Sequence, residues 1–172
     1  MAVGGVLLFA AAIRLVNWGS NAISQHLEDL SDARILGHVL SPSPVRTPVG
    51  VVRVQINALR NNDDPLPNTG LATFYNFMEP GIRARLGSFS EYVEHMTGSA
   101  YADLFTKAEL RVSPMRTQGD LAQQFVYVTT SPEERSVYIV TLKRQESGPY
   151  AGCWMNQNVV RYTQEHPRPA SE

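Results

Sequence analysis

Residues 121–130, LAQQFVYVTT, residues 135–145, RSVYIVTLKRQ, and residues 151–162, AGCWMNQNVVRY, decide the fold of this chain. In each of them apolar and polar residues alternate in the manner of an antiparallel strand. Two short breaks separate them, residues 131–134, SPEE, and residues 146–149, ESGP. Because Pro presets φ and Gly admits positive φ, both breaks predict turns. The sequence therefore predicts a curled antiparallel sheet with the earlier part of the chain packed against it.

Composition limits what the chain can be. Its 172 residues are enough for one domain with a real core. Charged residues make up 18%, below the ~25% usual for soluble domains. The formal net charge is −1 and no cluster of Lys or Arg appears, so nucleic acid is not an expected partner. The single Cys153 cannot form an internal disulfide.

The front of the chain is its most apolar part. Residues 2–13, AVGGVLLFAAAI, carry no charge, and Arg14 follows. This stretch is shorter than the ~20 residues of a membrane-spanning helix. Beyond it, polar residues recur at steps of three and four, which predicts an amphipathic helix with Trp18 near the boundary of an apolar environment.

Three interpretations of this segment stay open. It is a retained helix embedded in a membrane or a partner, the remnant of a cleaved targeting signal, or an ordinary helix packed on its own domain. We favour the retained helix, because the segment lacks the basic region and the small-residue cleavage site of a signal. The residues expected to form this anchor are Val6, Leu7, Leu8, Phe9, Ile13, Leu15 and Trp18.

The rest of the chain divides at a Pro-rich stretch. Residues 41–48, SPSPVRTP, predict an extended, semi-rigid linker. It separates the anchor region, residues 1–40, from a folded domain, residues 49–162, and a polar tail, residues 163–172, follows.

Within the domain, helical spacing predicts a helix over residues 49–60 and another over residues 71–78. A short helix that ends at Gly87 follows. The next helix is predicted to start at Ser88, because Glu91 lies three residues on, as in a capping box. Residues 107–114, KAELRVSP, predict a weaker fourth strand. The fold class is therefore α+β, with helices packed on a four-stranded antiparallel sheet.

The order of these elements resembles the cone-shaped α+β superfamily named after nuclear transport factor 2. More narrowly, it resembles an uncharacterised domain family of bacteria and of plant and algal plastids. Residues 51–87, VVRVQINALRNNDDPLPNTGLATFYNFMEPGIRARLG, residues 123–128, QQFVYV, and residues 152–155, GCWM, carry the resemblance, which covers roughly residues 49–162. It implies a cone-shaped domain and points to a plastid, and it implies no mechanism.

Domains of that superfamily often hold a pocket between sheet and helices, and enzymes such as ketosteroid isomerase place a carboxylate and tyrosines inside it. A general base must lie within hydrogen-bond reach of the proton that it takes. The side chains expected to line such a pocket here are Tyr75, Tyr92, His95, Asp103, Tyr127 and Tyr138. However, the strand residues expected to face inward suggest a filled core; they are Phe125, Tyr127, Val140, Leu142 and Trp154. A pocket enzyme is therefore not favoured.

Motifs for metals and cofactors are absent from the sequence. The four histidines share no ligand spacing, so no metal site is predicted. There is no G-x-S-x-G, P-loop or G-x-G-x-x-G sequence, and no intrinsic cofactor is expected. If the front helix lies among pigments or lipids, His26, Asn17 or Gln25 could ligate the magnesium of a chlorophyll, although plain polar contact is the more expected role.

Together these features predict a non-catalytic, membrane-associated accessory subunit with a structural or assembly role. Its expected partners are the lipid bilayer and the subunits of a larger membrane complex. The plastid resemblance implies a thylakoid photosystem–antenna complex as host. The alternative is a small-molecule-binding protein, or an enzyme of the isomerase or dehydratase kind, that uses the interior of the cone.

Overall fold

A computed structural model of the chain describes residues 39–98, 101–105, 109–131 and 134–162. Within these residues it shows four α-helices followed by one open antiparallel sheet of five strands, so the predicted α+β class is confirmed. The helices are α1 (Pro48–Arg60), α2 (Thr69–Asn76), α3 (Pro80–Leu86) and α4 (Phe89–Thr97), with a 3₁₀ turn at Ala102–Leu104. The strands are β1 (Glu109–Val112), β2 (Arg116–Gln118), β3 (Leu121–Ser131), β4 (Glu134–Arg144) and β5 (Trp154–Tyr162).

The sheet has the order β1-β3-β4-β5, and β2 also pairs with β3. Strands β1 and β2 bind successive parts of β3, from Thr129 to Val126 and from Gln123 to Leu121. Pro114 lies in the gap between them and has no N–H to donate to a ladder. The sequence predicted four strands, whereas the described residues form five. The additional strand is β2, which was not predicted and which continues the interrupted edge beside β3.

The helices cover the sheet face that carries Ala122, Gln124, Val126 and Val128, all of which are buried. The prediction that Phe125 and Tyr127 face inward is wrong: Phe125 is half-buried and Tyr127 is 44% exposed. Successive side chains of a strand point to opposite faces, so the pattern allowed either choice. A polar Gln124 is tolerated inside because its Nε2 donates to the carbonyl oxygen of Ser113 at 2.6 Å. The inward positions of Val140 and Leu142 are confirmed.

Helices α1 and α2 pack at very close range. Gly70 donates its backbone N–H to Asn62 O at 2.9 Å, and Leu71 donates to Asn62 Oδ1 at 2.9 Å. A Cβ atom on Gly70 would lie 2.2 Å from the backbone oxygen of Ala58. Only glycine permits this approach, so the start of α2 is fixed against the end of α1.

Helix α4 begins with the predicted capping box, which is confirmed. Ser88 Oγ accepts from the backbone N–H of Glu91 at 3.2 Å, and the N–H of Ser88 donates to Glu91 Oε2 at 2.7 Å. The backbone N–H of Ser88 lowers the pKa of the Glu91 carboxyl most, and the Ser88 hydroxyl, which donates to Glu91 Oε2 at 3.0 Å, lowers it further. The cap fixes where α4 starts, and so where its inward residues fall.

The end of the predicted anchor region and the predicted linker both contact the domain. Asn76 Nδ2 donates to the carbonyl oxygen of Leu40 at 3.4 Å, and Val39 packs against the core. A Cβ atom on Gly152 would lie 3.2 Å from Pro44 Cβ. No helix in the described part of the chain is both long and apolar enough to span a bilayer. Of the predicted anchor region, residues 1–40, only Val39 and Leu40 are described; residues 1–38 and the polar tail, residues 163–172, lie outside the described residues.

Candidate ligand-binding cavity

A cavity of about 210 Å³ lies between the helices and the first half of β5. Helices α2, α3 and α4 supply one side of its wall, and β5 supplies the other. The residues of the wall are Phe74, Met78, Ile82, Arg85, Leu86, Tyr92, His95, Met96, Tyr101, Asn156, Gln157, Asn158 and Val159. Most of this wall is apolar or aromatic, which is typical of small-molecule sites.

Tyr92 is the largest side chain of the wall that is completely buried, at 0% exposure. It lies on α4, and its ring packs against Tyr75 at 5.1 Å and Phe89 at 6.4 Å between centroids. Burial, with a smaller contribution from Tyr75, raises its pKa, so the phenol keeps its proton at neutral pH. No residue in the described ranges forms a hydrogen bond with the Tyr92 hydroxyl.

Asn156 lines the same cavity as Tyr92 and is 1% exposed. Its backbone is fully used: the N–H donates to Phe77 O at 2.7 Å, and the carbonyl accepts from Glu79 N at 3.0 Å. Its side-chain amide is unpaired, since neither Oδ1 nor Nδ2 has a partner among the described residues. Buried polar groups are nearly always paired, so both Tyr92 and Asn156 need an explanation.

A β-bulge places Asn156 on the inner face. Leu142 of β4 pairs with Asn156, whereas the next residue, Thr141, pairs with Asn158, so Gln157 is the extra residue. With this insertion Asn156 and Val159 both lie on the covered face, three residues apart, where a regular strand would place them on opposite faces. Bulges are common next to functional sites because they re-aim side chains.

The outer end of the wall is basic. Arg85 on α3 and His95 on α4 are both exposed, whereas Tyr92 and Asn156 are buried. The polar groups of the cavity thus lie at two depths, with a guanidinium and an imidazole at the mouth and a phenol and an amide inside.

A second, much smaller cavity of about 20 Å³ lies deeper in the core. Phe74 and Val159 belong to both walls and separate the two spaces. Gln55 of α1 lines the smaller one; it is 1% exposed, and neither atom of its amide has a partner in the described part of the chain. A space of this size is sufficient for one water molecule.

Tyr138 belongs to a separate polar network. Its hydroxyl donates to Asp103 Oδ1, while Arg161 Nη2 lies 3.5 Å from Asp103 Oδ2 and donates to Ser136 Oγ at 2.6 Å. Burial, followed by the bond to Asp103, raises the pKa of Tyr138. Because these polar groups serve as one another's hydrogen-bond and ion-pair partners, we interpret the network as a link between the 3₁₀ turn and the sheet.

The predicted pocket residues do not all come together. Tyr92 and His95 line the larger cavity, and Tyr138 lines the smaller one. Tyr75 packs behind Tyr92 and donates to Gly87 O at 2.9 Å. The prediction for Tyr127 is wrong, because it lies on the uncovered face of the sheet. Arg85 and Asn156 were not predicted; the polar run of residues 156–158, NQN, inside a strand was the only signal for Asn156.

The remaining predicted residues, the anchor residues and the proposed pigment ligands Asn17, Gln25 and His26, lie outside the described residues. Within the described ranges, no group of three or more His, Cys, Asp or Glu side chains could hold a metal ion. Buried Cys153 has a thiol pKa that burial raises, so this thiol has no enhanced reactivity.

Comparison of the chain with protein-family models, with curated proteins and with solved structures gives no match. The resemblance to the nuclear transport factor 2 superfamily therefore stays a prediction, and the geometry of the cavity has to carry the functional argument.

Proposed function

We propose that this domain binds a small, mostly apolar molecule in the cavity between α2, α3, α4 and β5. One observation carries the proposal: the cavity wall contains two completely buried side chains, Tyr92 and Asn156, whose polar atoms have no partner among the described residues. In the described conformation neither side chain is accessible to a water-sized molecule, so a ligand with a hydrogen-bonding group at its inner end would supply the missing partners after these side chains turn toward it.

In the free protein these two residues carry an energetic cost. A buried polar group without a partner costs about 1–3 kcal/mol, and replacing it with an apolar group of similar shape is often neutral or stabilising. Residues that lower stability in this way are typical of binding sites, where function and stability compete. The cavity is smaller than the ~300–1,000 Å³ of sites for drug-sized molecules, so we expect a compact ligand.

We further propose that the domain has the cone shape of the superfamily that it resembles, with this cavity in the position of the superfamily's pocket. We propose binding and not carboxylate-based catalysis of the ketosteroid isomerase kind, because no Asp or Glu contributes to the described wall. The Asp103 carboxylate, the nearest counterpart of an enzyme's general base, is bonded to Tyr138.

The test uses 2-naphthol, a compact neutral molecule with one hydrogen-bonding group, and isothermal titration calorimetry. Tyr92→Phe and Asn156→Leu should each weaken its binding by about three- to tenfold, since each removes one hydrogen bond worth about 0.5–1.5 kcal/mol. Ile82→Trp, which fills the cavity from a half-buried position, should abolish binding.

Tyr127→Phe is the matched control, because it removes the same hydroxyl from an exposed position. It should leave binding unchanged. The melting temperatures of Tyr92→Phe and Asn156→Leu should not fall. Binding that is unaffected by Tyr92→Phe, Asn156→Leu and Ile82→Trp would refute the proposal.

A second proposal concerns the apolar residues 2–13 and rests on the sequence alone. We propose that this segment forms a helix that holds the chain to a bilayer or to a larger membrane complex, as an accessory subunit; the resemblance to plastid proteins implies a thylakoid complex. Leu8→Lys with Phe9→Lys should release the full chain from liposomes in a flotation assay. Retention of this variant at the unmodified level would contradict the anchor.

A further inference from the structure

The two ionisable groups at the mouth of the cavity are both basic. Arg85 and His95 are the two basic residues of the described wall, and no acidic residue accompanies them. Arg85 forms no ion pair with any described residue. Because a guanidinium presents paired N–H donors in a planar fork, it matches a carboxylate geometrically.

The acidic side chains near His95 either have other partners or lie outside the cavity wall. Glu91 lies on α4 with His95, but its carboxylate is occupied by the N–H and the hydroxyl of Ser88. Glu94 precedes His95 and does not contribute to the wall. Arg83, on the same helix as Arg85, donates to the Tyr150 hydroxyl at 3.0 Å and lies 5.3 Å from the centre of that ring. Of these two arginines, only Arg85 is thus available to a ligand in the cavity.

We infer that the ligand is an amphipathic anion: a compact apolar molecule with a carboxylate at its outer end, bound by Arg85 and His95, and a hydrogen-bonding group or π-face at its inner end, near Tyr92 and Asn156. This inference rests on the proposed function. The apolar body would contact Met78, Ile82, Leu86 and Met96, and methionine side chains adapt well to flat rings.

The experiment compares two molecules of nearly identical shape, 2-naphthoate and 2-naphthamide, which differ in charge at pH 7. We expect the full chain to bind 2-naphthoate roughly three- to tenfold more tightly than 2-naphthamide by calorimetry, since charge-assisted bonds are stronger but this mouth is exposed. The preference should shrink in ~1 M salt, where screening acts within about 3 Å.

Arg85→Gln should reduce the preference to near equality while leaving 2-naphthamide binding unchanged. Arg85→Lys keeps the charge without the fork and should retain part of the preference. Arg116→Gln is the matched control: it removes the same charge from an exposed position on β2, outside the cavity wall, and should leave the preference intact.

The outcomes separate the two proposals. Equal binding of both molecules to the unmodified chain would overturn the anion inference and leave the proposed function standing. A preference that survives Arg85→Gln would overturn the assignment to Arg85. If neither of these molecules nor 2-naphthol binds, the proposed function fails, and the inference fails with it.

Discussion

Gln55 and Gln124 are two buried glutamines in opposite situations. Gln124 donates to Ser113 O at 2.6 Å, whereas the amide of Gln55 has no partner in the described ranges. Gln55→Leu should therefore raise the free energy of unfolding by about 1 kcal/mol, and Gln124→Leu should lower it by about 1–3 kcal/mol, because the Ser113 carbonyl loses its donor. Urea denaturation followed by circular dichroism measures both. Equal losses would mean that the Gln55 amide is paired in the folded protein.

Single residues were also where sequence reasoning failed. Phe125 and Tyr127 were expected inside, yet the buried residues of β3 are Ala122, Gln124, Val126 and Val128. A two-residue period shows that a strand has two different faces. Hydrophobicity alone did not show which of the two faces the helices cover. The covered face is set by where the helices pack, and on that face the bond from Gln124 to Ser113 satisfies a buried amide.

At the scale of elements, the contact between α1 and α2 depends on a glycine. Gly70→Ala would place a Cβ atom 2.2 Å from Ala58 O, which is backbone and cannot move aside cheaply. We expect a loss of at least about 1–3 kcal/mol in the free energy of unfolding. Gly81→Ala on α3 is the control: its Cβ would meet nothing within 4 Å, and alanine favours a helix by up to ~1 kcal/mol. Thermal denaturation should thus shift in opposite directions, and a tolerated Gly70→Ala would contradict the close packing.

Elements governed by local chemistry were predicted well. The capping box of Ser88 and Glu91 and the three long strands were predicted from sequence because caps and alternation are properties of neighbouring residues. The bulge at Gln157 was not predicted, since it exists only in the pairing of β5 with β4. The cavity depends on that bulge, which brings Asn156 inward. For this reason strand β5 was predicted from the sequence, but the cavity beside it was not.

At the scale of the whole molecule, the cavity occupies one end of the core and should leave the other end unchanged on binding. Its wall comes from α2, α3, α4, β5 and the residues that adjoin them, and β1, β2 and β3 contribute nothing to it. Amide hydrogen exchange reports local opening, and a ligand slows exchange where it stabilises the closed state. Saturating 2-naphthoate should therefore slow exchange in α3, α4 and the first half of β5, and leave β1 and β2 as they are.

The same exchange measurement discriminates between sites. A groove of about 150 Å³ lies at the other end, between α1 and the β1 edge, and Val112 and Gln124 line it. Another, of about 310 Å³, runs along α1 beside Asp64. Neither wall contains a buried polar side chain without a partner among the described residues. Slowed exchange in β1 or along α1, with none in α4, would move the ligand to one of these grooves and remove the role proposed for Tyr92 and Asn156.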